Sequence, residues 1–450
     1  MLSISVFFNT GYAPGSPGAI SAPMPAARAT ALSMAEYPRV VVTGMGLVSC
    51  IGNTLDEVSE SLYNAKSGVS FSQEFADAGM KSQVTGAPTD FNPDELIDRK
   101  AGRFMGMNAK YAYVAMQRAI EDSGLTEEQY QTVRAGGILG QADTSAADLE
   151  DVYAAVAGQK RVQSKIGPYR VTRTMGSSIS AVLSTQFKLK GVSYAISSAC
   201  STGAHCIGQG MEQIQLGKQD IVFCGAGESG GWRTAAMFDA MQALSTKRND
   251  NPSTASRAFD EDRDGFIIGA GGGIVVLESL DHAKARGAKI YGELVGYGAT
   301  ADGYDMVAPS GKGGERAMEV AMAMADEVGG NKPIDYINTH GTSTPVGDTM
   351  ELKAIKDRFA DLDYQPHVGS TKSLTGHGVG AAGVHEAIFS LVMLNKGFLA
   401  QSANIENLVE EGKDMKILTE RYEGDVTRVM SNSFGFGGTN ACLVFDKYTE

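Results

Sequence analysis

The stretch that decides the fold runs from Val192 to Gly210 and reads VSYAISSACSTGAHCIGQG. Its first part, which ends at Cys200, is apolar and β-prone, and its second part is a run of small residues that predicts a helix. The stretch therefore predicts a strand, a turn and a helix, with the Cys200 thiol at the helix N-terminus. Because unpaired backbone N–H groups and the helix dipole favour negative charge there, we expect a lowered pKa for Cys200 and a nucleophilic thiolate.

The chain has five cysteines, and we single out Cys200 for its position at this junction. A free cysteine is most often a small buried hydrophobic side chain, and this interpretation fits Cys50, Cys206, Cys224 and Cys442. Cys200 differs because two histidines, His340 and His377, lie far downstream in two separate loops. A thiol and two imidazoles on separate loops indicate an acyl-transfer site.

Composition and charge restrict the class of protein. Glycine is abundant, with 55 of 450 residues, and it clusters at turns, which is typical of an α/β protein with many tight loops. The cysteines show no framework spacing, so we expect free thiols, a reducing compartment and a cytoplasmic location. A net charge of −13 is unfavourable for nucleic-acid binding. No apolar run approaches the roughly 18 residues that span a bilayer, so no membrane segment is expected.

The order of predicted elements indicates the domain organisation. Strands alternate with helices, which predicts an α/β architecture, and the best break lies near residues 286–289. We therefore expect one half over residues 34–287, with the nucleophile, and a second over residues 288–450, with both histidines. Residues 1–33 are rich in Ala, Pro, Gly and Ser and are expected to be disordered. Two alternatives for them are an organellar transit peptide and a functional chain that begins at Met34.

The loop around His340 follows a predicted strand, Ile334–Asn338. Ligands of α/β proteins bind at loops that follow strands, although a histidine can also simply cap a turn. Asp348 and Glu351 have the spacing of a capping box, which explains Asp348 fully, whereas Glu351 could cap the helix or face the site.

Two glycine-rich loops complete the candidate site. His377 and Lys372 share the turn 370–380, which opens an apolar helix and forms a positive site suited to polarising an acyl oxygen. The alternative is a solvated turn with a surface lysine. The loop 434–440 can form a nest of N–H groups for an anion, or be an ordinary hairpin loop.

Metal motifs are weak in this chain. Residues 260–265 have the opening of a calcium loop, but the twelfth position is Gly271 and the required carboxylate is missing. No set of Cys and His has zinc spacing, and no Walker-type loop is present. No metal site is therefore predicted from these patterns.

Four motifs in this order resemble the elongating β-ketoacyl-(acyl-carrier-protein) synthases of the thiolase superfamily: SACSTG at 198–203, HGTSTPVGD at 340–348, TKSLTGH at 371–377 and NSFGFGGTN at 432–440. The match extends from about Arg39 to Phe445. Segments 213–223 and 302–310 are most similar to synthase I of bacterial type II fatty-acid synthesis. One departure is Ser201-Thr-Gly203, where the family has Ala-Thr-Ser or Ala-Thr-Gly.

The resemblance implies a five-layer αβαβα sandwich built from two similar halves, a homodimer, and a reaction without a soluble cofactor. Cys200 takes an acyl chain from acyl carrier protein as a thioester. His340 and His377, supported by Lys372, assist decarboxylation of malonyl-carrier protein. The resulting carbanion attacks the thioester and gives a 3-oxoacyl product that is two carbons longer.

The resemblance also assigns further site residues. The backbone N–H groups of Cys200 and Phe436 match an oxyanion hole. Thr342 and Thr344 match positions that bind the phosphopantetheine arm, and Phe434 a substrate-binding position. A possible monovalent-cation site matches five residues: Asn338, Glu351, Glu386, Ser431 and Asn432.

Carrier-protein docking poses a problem of charge. Acyl carrier proteins are acidic and so is this chain, so a local positive patch is needed for docking. Two clusters, which resemble the family's docking surface in position, are predicted to supply it: Arg99, Lys100 and Arg103, and Lys160, Arg161 and Lys165. The alternative is that they are solvated turns.

Several rival functions share parts of these motifs. A polyketide-type ketosynthase has the same chemistry, whereas its non-catalytic chain-length partner lacks the nucleophile. An initiating synthase has Asn in place of the second histidine, and a degradative thiolase needs a second active cysteine, for which Cys442 is poorly placed. A Cys–His peptidase lacks support from any local signature.

Overall fold

The structure is a computed structural model that describes residues 37–157 and 162–449. The strands in these ranges are β1 Val40–Val48, β2 Ser70–Phe71, β3 Val84–Thr85, β4 Ala135–Gly140, β5 Ser193–Tyr194, β6 Ile221–Glu228, β7 Gly271–Ser279, β8 Gly292–Ala301, β9 Tyr336–Asn338, β10 His367–Gly369, β11 Phe398–Leu399, β12 Lys416–Ile417, β13 Tyr422–Glu423, β14 Arg428–Gly435 and β15 Thr439–Asp446.

The α-helices in the same ranges are α1 Leu55–Tyr63, α2 Gln73–Asp77, α3 Pro93–Leu96, α4 Arg99–Gly102, α5 Met107–Ser123, α6 Glu127–Tyr130, α7 Ala146–Val156, α8 Val162–Ile166, α9 Arg170–Thr174, α10 Ser178–Phe187, α11 Thr202–Gln215, α12 Trp232–Ala240, α13 Leu280–Ala285, α14 Lys312–Gly329, α15 Pro345–Phe359, α16 Lys372–Thr375 and α17 Ala382–Lys396. None of these helices combines the length and apolar character that a bilayer crossing requires. The predicted N-terminal extension, Lys160 and Arg161 lie outside the described residues.

The main sheet has eleven strands in the order β12-β10-β9-β14-β15-β8-β1-β7-β6-β4-β5. The run β10-β9-β14-β15-β8 and the run β5-β4-β6-β7-β1 have the same sequence of pairings: two parallel, then two antiparallel. The strands at corresponding positions of the two runs also come in the same order along the chain. Apart from β12 at one edge, the sheet therefore consists of two runs of equivalent topology, a relation that the amino-acid sequence does not display.

Helices cover both runs of strands. Helix α5 packs on β1, β7 and β6, and α14 packs on β8 and β15. Between the runs, α11 lies on β6 and β4, α17 lies on β14, and the two helices contact each other. The layers therefore alternate as helix, strand, helix, strand and helix, and the predicted α/β fold class is confirmed.

Glycines allow the close approach of α5 to β1. A Cβ atom at Gly46 would lie 2.0 Å from the carbonyl oxygen of Ala115, and one at Gly44 would lie 2.6 Å from that of Ala119. Both distances are shorter than any real contact, so side chains at these positions would push the helix from the strand.

The predicted strand that ends at Cys200 is shorter than expected. The run from Val192 to Cys200 forms a strand only at Ser193–Tyr194, the two residues that pair with β4 at the sheet edge. A second apolar run, residues 265–277, forms a strand only from Gly271, whose φ of +132° lies outside the usual strand region. The irregular segments that replace the missing strand residues bring the chain to the candidate site.

Candidate active site

Cys200 lies in the turn that precedes α11. A single turn of 3₁₀ helix, Ala199–Ser201, continues directly into α11, so the predicted position at a helix N-terminus is confirmed. Ala199 has a φ of +48°, a left-handed conformation that costs a non-glycine residue about 1–3 kcal/mol. The surrounding contacts hold Cys200 in this strained turn, half-buried beside the cavity that is described below.

His377 reaches Cys200 from the C-terminal half of the chain. Its Nε2 atom lies 2.9 Å from the Cys200 Sγ atom. The backbone N–H of His377 donates to the carbonyl oxygen of Ile267 at 2.7 Å, which fixes the turn after α16. Val379, two residues on, has a φ of +47°, so this turn is strained as well.

His340 completes a group of three. Its ring is nearly perpendicular to that of His377, at 89°, with 5.1 Å between the centroids. One ring nitrogen of each histidine and the Cys200 sulfur all lie within 4.8 Å of one another. The predicted convergence of the thiol and both imidazoles is therefore confirmed in the geometry.

Glu351 positions the loop that carries His340. Its carboxylate accepts hydrogen bonds from the backbone N–H groups of His340, at 2.8 Å, and Gly341, at 2.7 Å. Glu351 does not cap the helix: it lies in the second turn of α15, and its carboxylate holds the His340 loop beside the cavity. The capping interpretation of Asp348 is wrong as well, because α15 begins at Pro345 after Thr344. Asp348 lies inside the helix and accepts hydrogen bonds from the backbone N–H groups of Ser343, Thr344 and Phe259.

Lys372 is buried beneath the two histidines. It is only 1% exposed and forms an ion pair with Glu386 on α17, so the alternative of a surface lysine is wrong. Burial, together with the Lys372 charge, holds the pKa of both His340 and His377 well below the ordinary histidine value. Both imidazoles are therefore neutral at physiological pH.

The expected lowering of the Cys200 pKa is wrong. Burial raises the pKa of the thiol to about 12, although Lys372 and the backbone N–H groups of Phe436 and Cys200 act in the opposite direction. Loss of hydration outweighs the helix terminus because a thiolate in an apolar cavity has little water around it. The resting group is thus a thiol, with its sulfur 2.9 Å from the His377 Nε2 atom.

The three groups open into a cavity of about 630 Å³ that is mainly apolar. Thr342, Thr344, Phe434 and Phe436 line it, and the roles that the resemblance assigns to them stay predictions. The two threonine hydroxyl oxygens are 3.0 Å apart and can share one polar ligand. Four further lining residues are large and apolar: Met237, Phe238, Met241 and Phe266.

The five residues of the possible cation site are all buried. Asn432 donates to Glu351 at 3.3 Å, and Asn338 donates to Thr371 and Ser390. Glu386 Oε2 and Ser431 Oγ have no hydrogen-bond partner among the described residues. The cation site stays a prediction.

The residues of the predicted docking clusters that the structure describes are exposed. Arg99 and Lys100 lie on α4, Arg103 follows it, and Lys165 lies on α8. The carbonyl oxygen of Arg103 accepts a hydrogen bond from Arg173 at 2.9 Å, which ties α4 to α9. Their role in docking stays a prediction.

Glu228 is a buried carboxyl group to which no sequence motif pointed. It ends β6 and accepts hydrogen bonds from the backbone N–H groups of Ala142 and Asp143, at the loop after β4. Burial raises its pKa to about 8. The available signal was a single acidic residue at the carboxyl end of the apolar run that starts at Ile221.

Comparison with known proteins agrees with this geometry. The model for "Beta-ketoacyl synthase, N-terminal domain" matches residues 38–283, and that for "Beta-ketoacyl synthase, C-terminal domain" matches residues 291–406. The chain is 55% identical over 411 residues to 3-oxoacyl-[acyl-carrier-protein] synthase 1 of Haemophilus influenzae, covering 91% of this chain and 99% of that protein. It is 53% identical over 412 residues to the Escherichia coli K12 protein of the same name, covering 92% and 100%.

Solved structures give the same result. A beta-ketoacyl synthase from Burkholderia phymatum superposes with a TM-score of 0.85 at 31% identity, over 92% of this chain and all of that one. The AntDE:AntF complex, a type II polyketide synthase acyl-carrier protein with its ketosynthase, includes a chain with a TM-score of 0.80 at 27% identity, again covering 92% and 100%. The resemblance stated from the four sequence motifs is therefore confirmed.

Proposed function

The chain belongs to the beta-ketoacyl synthase family, and from this premise we propose how its site extends fatty acids by two carbons as a 3-oxoacyl-[acyl-carrier-protein] synthase. It is an acyltransferase that condenses malonyl-carrier protein, with loss of CO₂, with an acyl chain held on Cys200. The observation that carries the proposal is the convergence of one thiol and two neutral imidazoles in an apolar cavity.

The first half-reaction is acyl transfer to the thiol. As Cys200 Sγ attacks the acyl-carrier thioester, His377 Nε2, at 2.9 Å, accepts the thiol proton. The new S–C bond forms, the C–S bond to the phosphopantetheine arm breaks, and the leaving thiolate takes the proton from His377. The tetrahedral oxyanion faces the N–H groups of Cys200 and Phe436.

The second half-reaction uses both histidines as donors. Malonyl-carrier protein loses CO₂, and the electron pair of the broken C–C bond remains as an enolate. His340 and His377, both neutral, donate N–H bonds to its oxygen, in a dry site where such bonds are strong. This step uses the tautomer of His377 with the ring proton on Nε2, whereas acyl transfer uses the tautomer with the proton on Nδ1. The enolate carbon attacks the acyl thioester, the 3-oxoacyl-carrier product leaves, and the Cys200 thiolate regains a proton from solvent.

The partner in this proposal is acyl carrier protein. Thr342 and Thr344 offer hydroxyl groups to the phosphopantetheine arm, and Phe434 contacts the substrate. The exposed cations on α4 and α8 offer the docking surface. The arm brings both substrates and CO₂ release drives the reaction, so no soluble cofactor takes part.

The assembly in this proposal is a homodimer in the cytoplasm. Strand β5 is the edge of the main sheet, and Tyr194 on it is 38% exposed. An edge strand of this kind is a template for pairing with a second copy. All five cysteines are free thiols, which suits a reducing compartment.

The test is to incubate the protein with malonyl-carrier protein and acyl-carrier proteins of different chain lengths, and to weigh the products. We expect 3-oxoacyl products that are one two-carbon unit longer than each accepted substrate. A series of poly-3-oxo products would instead identify a polyketide ketosynthase, and no condensation product would contradict both functions. The higher identity to synthase 1 proteins favours the first result.

A further inference from the structure

A second side-chain pair spans the turn that carries Cys200. Ser198 precedes the cysteine by two residues, and His205 follows it on α11. The Ser198 Oγ and His205 Nδ1 atoms lie 2.7 Å apart. The described residues that line the cavity do not include either one, so the pair does not touch substrate. The half-reactions described above assign it no role.

The pair lies where the turn is under strain. Ala199, between Ser198 and Cys200, is in the left-handed region, and local bonds must hold it there. The backbone N–H of Ser198 donates to Thr202 Oγ1 at 2.9 Å, and this hydroxyl donates to the Ala199 carbonyl at 2.8 Å. The Ser198–His205 bond adds a clamp between the two ends of the same turn.

The oxyanion loop rests on this turn. A Cβ atom at Gly435 would lie 3.0 Å from the Ser198 carbonyl oxygen and 3.1 Å from the Cys200 nitrogen, so the loop before Phe436 packs directly on the turn backbone. The Ser201 hydroxyl, in the same turn, lies 2.8 Å from the carbonyl oxygen of Ser433 and 2.9 Å from that of Thr439, on the two sides of the Phe436 loop. The turn that Ser198 and His205 clamp is thus hydrogen-bonded to both ends of that loop.

We propose that His205, acting through Ser198, is a positioning residue that fixes the backbone N–H groups of Cys200 and Phe436 as one oxyanion hole. This inference rests on the proposed acyl transfer, because only that reaction develops an oxyanion there. Burial lowers the pKa of His205, so the ring is neutral and its effect is geometric.

The test compares two reactions of the same thiol. Acyl transfer from an acyl-carrier protein needs the oxyanion hole, whereas alkylation by iodoacetamide displaces iodide at a saturated carbon and does not. We expect Ser198→Ala and His205→Ala to slow single-turnover acylation by about 10- to 100-fold, with alkylation of Cys200 within about twofold of the wild-type rate. The KM for the carrier substrate should stay unchanged.

Two further variants sharpen the test. His205→Asn can keep a nitrogen near the Nδ1 position and should recover most of the acylation rate. Gln213→Ala, a small polar change on the same helix, is the matched control and should behave as wild type. The double variant Ser198→Ala with His205→Ala should be no slower than the worse single variant, because both remove one coupled unit.

Acylation that is unchanged in both single variants would overturn the inference. Equal losses of acylation and alkylation would also overturn it, since they indicate a displaced thiol or a damaged fold. Failure of the wild-type protein to form the acyl adduct is a different result, which contradicts the proposed function itself.

Discussion

The thiol cluster and the basic cluster use charge in opposite ways. The thiol cluster is Cys200, His340, His377 and Lys372, where burial keeps the thiol and imidazoles uncharged and pairs the lysine with Glu386. The basic cluster is Arg99, Lys100 and Arg103, whose side chains are exposed to solvent. Dipoles in a site without water interact strongly over short distances. Exposed charges interact weakly and at longer range, and salt screens them. Changes in the first cluster should therefore affect turnover, and changes in the second should affect encounter.

The largest effect is expected from Cys200→Ala. The change removes the nucleophile and little volume, so condensation should fall to a trace while the melting temperature stays close to that of wild type. Iodoacetamide should label Cys200 first in the wild-type protein, and label no other cysteine comparably in the variant. Substantial residual condensation, or faster labelling of another cysteine, would contradict the assignment.

The two histidines should differ in the first half-reaction. His340→Ala and His377→Ala should each reduce malonyl decarboxylation by about 10²–10⁴-fold, the range for one positioned polar group. His340→Ala should still form the acyl–Cys200 adduct at a near-normal rate. His377→Ala should also slow acylation, because its Nε2 is the proton acceptor 2.9 Å from the sulfur. Equal acylation rates in both variants would contradict the role of His377 as the proton acceptor.

Charge reversal in the basic cluster should have an effect of another kind. Lys100→Glu with Arg103→Glu should raise KM for carrier-bound substrates by roughly tenfold and leave turnover of a small thioester mimic nearly unchanged. The difference should shrink as ionic strength rises. The control is Lys413→Glu with Lys416→Glu, which changes the charge by the same amount. Lys416 lies on β12, an edge strand of the main sheet, and Lys413 lies three residues before it. Equal loss with both substrate types would reject docking at α4.

The smallest effect on activity is expected at Glu228, a buried carboxyl that accepts hydrogen bonds from the backbone N–H groups of Ala142 and Asp143. Its folded-state pKa, about 8, exceeds the ordinary 4.5, so the folded protein holds a proton that the unfolded chain releases. Its contribution to stability is full below about pH 4.5 and is lost as pH rises towards 8, at up to about 1.4 kcal/mol per pH unit. Glu228→Gln should remove this slope in melting temperature between pH 5 and 8. An unchanged slope would show that other titratable groups cause this pH dependence of the melting temperature.

Local patterns predicted the position of Cys200 but not its chemistry. The sequence around Cys200 was enough to place a thiol at a helix N-terminus, since strand, turn and helix propensities are local. The direction of its pKa shift depends on burial by segments that are distant in the sequence, such as the turn that carries His377, which no local pattern contains. The left-handed Ala199 is held by side-chain hydrogen bonds within its own turn, which residue propensities do not reveal.

The other residues of the site were predicted from the order of the four motifs, whereas the sheet topology became visible only in the structure. Four motifs in sequence placed His340, His377 and Lys372 together, although their spacing alone left capping and surface alternatives open. The equivalence of the two strand runs was invisible in the sequence, because it lies in pairing order and not in residue identity. His205 escaped notice since a small-residue helix gives no reason to single out one imidazole.

Intact-protein mass spectrometry tests the central claim most directly. After incubation with an acyl-carrier protein alone, the account predicts one acyl group per chain, attached at Cys200 and absent from Cys200→Ala. Addition of malonyl-carrier protein should then discharge that adduct and release a 3-oxoacyl-carrier protein two carbons longer. An adduct on another residue, or one that malonyl-carrier protein leaves in place, would contradict the account.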